Sequence, residues 1–177
     1  MRRKIKLIIS FGLAAALCGC ATVQSIVKST FPYTTTVMIR ENSDVGVELS
    51  AMGMATSFDQ DFKKNGNNAD KVSEVSIVSA KLIAKNPTDF NIGNLVSIKV
   101  YMSKVDGTDE VLVASRKDIT QGVGNSMVLD IDNSSFLDEH VRQPKIRIRV
   151  VYVLRNHIDD DAYLHLVLGL NAYPNGS

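Results

Sequence analysis

The sequence has little of the chemistry that identifies most small enzymes and metalloproteins. Among its 177 residues are two cysteines, three histidines and no tryptophan, and 6% of the residues are aromatic. Both cysteines lie within the first 20 residues, so the rest of the chain has no disulfide framework, no CxxC redox pair and no thiolate metal site. The histidines show neither His-x₃-His nor HExxH spacing, which excludes the common zinc-hydrolase motifs.

The chain also lacks a strong charge of either sign. It has 20 basic and 19 acidic residues, and four of the bases lie in the first 19 residues, which contain no acid. Beyond that segment 16 bases and 19 acids remain, so the net charge is about −3. The remaining bases are scattered along the sequence. Because phosphate contacts need a clustered positive surface, we expect no nucleic-acid binding.

The N-terminus is the most informative segment. Four basic residues precede an apolar run of 11 residues from Leu7 to Leu17, and small residues follow it. A transmembrane helix needs about 20 apolar residues, so this order predicts a secretory signal peptide over residues 1–19 instead.

The end of this segment resembles the bacterial lipoprotein box, with the order Leu17, Cys18, Gly19, Cys20. The resemblance implies cleavage before Cys20, a diacylglyceryl group on the Cys20 thiol and acylation of the new amine. Two or more acyl chains would hold the protein stably on a membrane. Residue 21 is alanine rather than the aspartate of an inner-membrane retention signal, which favours the outer membrane. The alternative is a plain signal peptide in which Cys20 is incidental.

The mature chain is predicted to form one all-β domain. We place the lipidated cysteine and a tether at residues 20–32, the domain at 33–172 and a frayed C-terminus at 173–177. Short period-two segments separated by turns every 8–12 residues indicate a β-sandwich or an open barrel. We predict a single antiparallel β-sandwich, immunoglobulin-like, with one or two short helices. The clearest alternation covers residues 146–154 and 163–170, where every second residue is large and apolar.

Local signals divide this domain further. Turns are predicted at Asn86-Pro87, around Asp106-Gly107 and at 121–125. Short helical turns are predicted at 69–75, capped by Asn68, and around 136–140. In the second strand the apolar positions shift phase between Leu49 and Met52, which predicts a β-bulge at 51–53.

A second resemblance covers residues 78–131. The segments SAKLIAKNPTDFNIGNLVSIKVYMS, VLVAS and VLDID resemble small uncharacterised β-sandwich lipoproteins of Bacteroidota. The Asn86-Pro87 pair after an apolar strand also resembles a corner of late-embryogenesis-abundant type 2 sandwiches. Both resemblances imply the fold, and neither implies an activity or a catalytic residue.

Two groups of residues can be considered as metal ligands. His157 with Asp159, Asp160 and Asp161 offers oxygen ligands for calcium, but the glycine-containing alternation of an EF-hand is missing, so a solvated turn is the preferred interpretation. Five methionines offer thioethers to copper(I), but methionine also fills irregular cores, and we expect these to be core residues. The methionines are Met38, Met52, Met54, Met102 and Met127. We therefore predict no metal and no cofactor.

A hydrolase site would have to use the 133–144 loop. Ser134, Ser135, Asp138 and His140 are close in sequence there, but no G-x-S-x-G elbow surrounds either serine. We expect a loop of turn and capping residues and predict that the chain is not an enzyme.

The remaining hypotheses concern binding. The apolar faces of the last two strands form either a filled core or a cleft for a hydrophobic ligand; the residues concerned are Ile146, Ile148, Val150, Leu164, Leu166 and Leu168. Arg147, Arg149 and Arg155 can engage lipid headgroups or the acids of a partner, or simply solvate the sheet. We expect a membrane-anchored envelope lipoprotein with a binding or scaffolding role, an envelope protein as its partner, and, as the alternative, a carrier of a hydrophobic ligand.

Overall fold

The computed structural model describes residues 29–56, 72–143 and 145–174. These residues form nine strands, a 3₁₀ turn at Ile92–Asn94 and one short helix, α1, at Asp138–Val141. The strands are β1 (Ser29–Ile39), β2 (Glu48–Thr56), β3 (Val72–Asn86), β4 (Leu95–Ser103), β5 (Val111–Arg116), β6 (Ser126–Val128), β7 (Asp130–Ile131), β8 (Lys145–Leu154) and β9 (Ala162–Pro174). The signal peptide, Cys20, Asn68 and residues 69–71 of the predicted helical turn lie outside the described residues.

The strands form two antiparallel sheets that pack face to face. The four-stranded sheet has the order β1-β9-β3-β6, and the five-stranded sheet has the order β2-β8-β4-β5-β7. This arrangement confirms the predicted β-sandwich. Strand pairing reaches beyond the predicted domain limits of 33 and 172, because Ser29 pairs with Ala172 and Val72 pairs with Pro174.

The core lies between the inner faces of the sheets, as the period-two pattern predicted. The alternate large side chains of β8 and β9 are all buried: Ile146, Ile148, Val150, Tyr152, Leu154, Leu164, Leu166, Leu168 and Leu170. Ile98, Val100 and Met102 of β4 join them. These alternating positions therefore predicted the correct faces for three of the longest strands.

A short segment ties the two sheets together. The chain passes from β6 in one sheet to β7 in the other through Leu129, which is buried. The Leu129 N–H donates to the Ala80 carbonyl oxygen at 2.9 Å, and the Asp132 N–H donates to the Val113 carbonyl oxygen at 2.9 Å. The connecting segment is thus hydrogen-bonded to the four-stranded sheet on one side and to the five-stranded sheet on the other, and the covalent chain between these bonds links the sheets.

The predicted bulge in β2 is wrong. Residues 48–56 pair with β8 in continuous register, and Ala51 and Ala55 point inward. A Cβ atom at Gly53 would overlap the Thr35 hydroxyl and lie 3.2 Å from the Thr36 carbonyl oxygen. Because β1 and β2 approach so closely, small residues occupy the inner face of β2 from Ala51 to Ala55, and Met52 and Met54 point outward. Leu49, at the other end of the strand, packs partly buried against the core.

The predicted helical turn at 69–75 is also wrong where the structure describes it, because β3 already begins at Val72. The strand has register shifts between Ser73 and Ser76 and between Ile77 and Ser79, and Glu74 has a φ of 52°. These irregularities bury Val72, Val75 and Ile77 at a spacing that imitates a helix. Bulges of this kind remove the period-two signal from a sequence.

The two ends of the sandwich differ. Ser29, Thr56, Val72 and Lys145 lie at one end together with the β4–β5 hairpin and α1, and we call this the α1 end. At this end the Leu137 N–H donates to the Val75 carbonyl oxygen at 2.8 Å. The loops at 40–47, 117–125 and 155–161 lie at the opposite end.

We predict that Leu166→Ala lowers the free energy of unfolding by about 2–5 kcal/mol, because it removes a fully buried side chain from the centre of the core. Urea denaturation measures the difference. Val128→Ala, on an exposed side chain of the same sheet, is the control and should change it by less than about 0.5 kcal/mol. An equally small change for Leu166→Ala would contradict the assigned core.

Candidate binding face

The outer surface of the five-stranded sheet carries a compact group of long side chains. The register places Met52 opposite Arg149, Arg149 opposite Tyr101 and Tyr101 opposite Leu112, in one row across four strands. Directly opposite residues project on the same side of a sheet. In the next row Met54 lies opposite Arg147. We call these six residues the outer face.

Arg149 is fixed at the centre of the outer face. Its Nε and Nη2 atoms donate to the two Glu110 carboxylate oxygens at 2.8 and 2.5 Å, and its guanidinium lies 4.5 Å from the centre of the Tyr101 ring. The hydrogen bonds from Arg149 hold the pKa of Glu110 below its ordinary value, and Glu110 raises the pKa of Arg149. Bidentate pairing and ring stacking orient this arginine rigidly.

Arg147 differs, because within the described chain it forms no ion pair. Its Nη2 atom donates to the Met52 sulfur at 2.6 Å, which is a weak acceptor. Its guanidinium also lies over the backbone of Gly107, where an added Cβ would come within 2.7 Å of Nη1. Glycine at 107, with a φ of 88°, therefore lets Arg147 lie across the β4–β5 turn. Most of its N–H donors remain available to another molecule.

Met52 and Met54 are the exposed apolar part of the outer face. Their side chains are 57% and 46% exposed, which corrects the prediction that they belong to the core; Met102 and Met127 are buried as predicted. The positive charge of the Arg147 guanidinium beside the Met52 sulfur also disfavours binding of a copper cation to this sulfur. The arrangement suits a partner that places an apolar group against the two methionines and a carboxylate beside Arg147.

A further ion pair borders the outer face. The Lys99 ammonium lies 2.7 Å from a Glu48 carboxylate oxygen. The hydrogen bond between them lowers the pKa of Glu48 and raises the pKa of Lys99. Lys99 and Arg149 are thus both neutralised by acids of this chain, which leaves Arg147 as the outer-face cation that the described residues do not pair.

Arg155 does not belong with Arg147 and Arg149, contrary to the prediction that grouped them. It donates to the Gly93 carbonyl oxygen at 3.2 Å and to the Ile119 carbonyl oxygen at 2.6 Å. It therefore joins two loops at the opposite end of the sandwich and has a structural role.

The residues considered for a hydrolase have separate structural roles. His140 is buried, and its Nε2–H donates to the Asp109 carbonyl oxygen at 2.7 Å. An Asp138 carboxylate oxygen accepts the Val75 N–H at 3.3 Å. Ser134 and Ser135 are exposed, and neither is hydrogen-bonded to His140 in the described part of the chain. The structure does not bring these four residues together as a catalytic group.

The acidic loop at 159–161 also has a structural contact. Asp161 accepts the Glu41 N–H at 3.0 Å and so joins the β8–β9 and β1–β2 loops. Asp159 and Asp160 are exposed. Across residues 29–56, 72–143 and 145–174, no three His, Cys, Asp or Glu side chains are grouped as metal ligands.

The suggested ligand cleft between the sheets is closed. The six side chains proposed to line it, at 146, 148, 150, 164, 166 and 168, are each at most 1% exposed. A cavity large enough for an acyl chain would leave surface on its lining residues, so these side chains form a filled core.

Comparisons with known proteins identify no family. No family model matches the chain, and no curated protein does. A chain from a solved structure of infectious bursal disease virus, strain Gx, is similar over 85% of this chain, with 16% sequence identity and a TM-score of 0.34. This chain spans 38% of the length of that viral chain. A likeness of this size carries no argument about function.

Sequence reasoning found part of the outer face. The alternation around Ile148 places Arg147 and Arg149 outward, as the structure does. It missed Glu110, which lies 39 residues from its partner Arg149, and it missed Tyr101. Only the pairing of β4 with both β5 and β8 brings these residues together.

We predict that Glu110→Gln destabilises the domain by roughly 0.2–1 kcal/mol at pH 7, the range for partly exposed ion pairs. The folded-state pKa of Glu110 is lowered from 4.5, so the pair stabilises the fold above pH 4.5 and loses this effect as pH falls through the lowered pKa. Urea denaturation of both proteins across that range should show the difference shrinking with acid. Asp160→Asn, on an exposed carboxylate, is the control; a difference independent of pH would contradict the assignment.

Proposed function

We propose that the chain is a lipid-anchored protein of the bacterial cell envelope whose sandwich is a non-enzymatic binding module. The observation that carries the anchor is the box Leu17–Cys20 behind a basic, apolar leader, with eight residues between Cys20 and the first strand at Ser29. A cysteine so close to the fold would hold the domain near the membrane surface. Ala21 supports the outer membrane as its location. Among the described residues no helix is long and apolar enough to cross a membrane.

The binding role rests on the outer face. Arg147 offers unpaired donors, Met52 and Met54 offer exposed apolar surface, and Arg149 is already fixed by Glu110 and Tyr101. This combination fits an envelope protein that presents a carboxylate beside an apolar side chain. Anchoring would raise the effective concentration of the domain for such a neighbour. The filled core favours this role over carriage of a hydrophobic ligand, which would require the two sheets to separate.

The charge distribution supports a protein partner rather than nucleic acid. Beyond the leader the chain has three more acids than bases, and the outer-face cations Lys99 and Arg149 are paired within the chain. A single unpaired arginine is a weak basis for binding a phosphate backbone.

The anchor is tested by Cys20→Ser. We expect this variant to lose the mass of the acyl groups and to move from the membrane to the soluble fraction, because no thiol remains to accept lipid. Cys18→Ser is the matched control: Cys18 would leave with the signal peptide, so this variant should keep both the lipid mass and the membrane location. Membrane retention of Cys20→Ser at an unchanged mass would contradict the proposal.

The outer face is tested by a photo-crosslinking side chain at position 52 in cells. We expect one discrete adduct with an envelope protein that weakens when Arg147→Glu is added, because the new charge repels a partner's carboxylate. The same photo-crosslinking side chain at position 128, exposed on the other sheet, is the control and should not give this adduct. An adduct that is insensitive to Arg147→Glu, or is shared by both positions, would contradict the assigned face.

A further inference from the structure

The α1 end is the end of the domain from which the chain leads back to Cys20. Eight residues, 21–28, separate Cys20 from Ser29 at this end. Fully extended, this connection spans about 30 Å. The α1 end can therefore reach a bilayer that holds Cys20.

The opposite end of the sandwich is less able to contact a bilayer that holds Cys20. The 11 residues of β1 rise by about 33 Å along the sandwich. A domain inverted on the membrane would hold Ser29 about that far from the surface, at the limit of what the connection can span when fully extended. Covalent geometry therefore favours the α1 end, or a side of the sandwich, as the surface nearest the lipid.

The α1 end carries Phe136, the most exposed aromatic side chain among the described residues. Its ring is 64% exposed, although Leu137 beside it is buried and is fixed by the backbone bond to Val75. Val105, at the tip of the β4–β5 hairpin, is also exposed. The helix α1 is joined to that hairpin by the bond from His140 to the Asp109 carbonyl oxygen, so both apolar side chains project from one connected surface.

The charges of this end do not oppose contact with lipid. Lys104 is ion-paired with Asp109, and Arg142 is ion-paired with Glu139. Lys145 and Asp106 are also exposed at this end and are opposite in sign. The described charges therefore nearly balance, and the attraction would come from the apolar side chains rather than from anionic headgroups. Contact should therefore be similar on neutral and anionic bilayers.

We propose that the α1 end rests on the bilayer and that Phe136 inserts its ring at the boundary between headgroups and acyl chains. This inference rests on the proposed anchor at Cys20. The strands would then stand away from the membrane, and the outer face of the five-stranded sheet would remain open to a neighbouring protein.

The absence of tryptophan from the chain gives a direct test. Phe136→Trp places a single tryptophan at the α1 end, and Val47→Trp places one on a side chain that is 47% exposed at the opposite end. Each full chain is purified with its lipid and reconstituted in phosphatidylcholine vesicles with and without brominated acyl chains. Excitation at the red edge of the tryptophan band avoids tyrosine.

On vesicles we expect the Phe136→Trp emission to shift to shorter wavelength and to be quenched by the brominated chains. The Val47→Trp emission should keep its solution wavelength and intensity. Vesicles containing phosphatidylglycerol should give the same result for both variants, because the contact is apolar.

Flotation of the same samples shows whether a negative result contradicts the membrane contact alone or also the proposed anchor at Cys20. A chain that floats with the vesicles while tryptophan 136 is neither shifted nor quenched overturns the membrane contact and leaves the anchor intact. A chain that carries no lipid and does not float overturns both. Equal quenching at both positions would also overturn the orientation.

Discussion

The sandwich depends on the burial of the inner faces of β8 and β9. Each of these strands pairs with two neighbours in its own sheet, β8 with β2 and β4 and β9 with β1 and β3, and each contributes an unbroken series of large apolar side chains to the core. Because the two strands are consecutive in sequence but belong to different sheets, burying both series brings the sheets face to face. Four strands pair directly with these two, and β5, β6 and β7 pair with other strands of their sheets.

The close approach of β1 and β2 follows from this packing. At Gly53 the inner face of β2 meets Thr35, whose hydroxyl donates to the Met54 carbonyl oxygen at 3.3 Å. No larger residue fits there. Met52 and Met54, the large apolar residues of this part of β2, lie on the outside beside Arg147.

The sequence predicted the buried faces of regular strands well and those of irregular strands poorly. The alternation in β4, β8 and β9 predicted the buried residues, and the Asp106-Gly107 signal predicted the hairpin, since these patterns depend only on local geometry. β2 and the start of β3 were assigned incorrectly, because small inward residues in one and bulges in the other replace the expected alternation. The pairing of Arg149 with Glu110 depends on which strands become neighbours in the sheet, and no local sequence pattern predicts the strand order.

The filled core narrows the functions that the domain can perform. The inward side chains of β8 and β9 are almost fully buried, so a ligand between these two strands would require the sheets to separate. Two parts of the described surface differ from ordinary solvated sheet: the outer face, with one unpaired arginine among exposed thioethers, and the α1 end, with an exposed ring on a fixed backbone. The outer face suits a partner that presents a carboxylate with apolar neighbours, and the α1 end suits contact with a surface of any charge.

If the domain is anchored at Cys20, the two surfaces do not compete. The α1 end would contact the lipid, while the outer face, nearly perpendicular to that end, would stay accessible from the side. That arrangement requires rigidity between the surfaces. The packed core and the segment through Leu129 join the two sheets, and the bond from the Leu137 N–H to the Val75 carbonyl oxygen joins the start of α1 to β3.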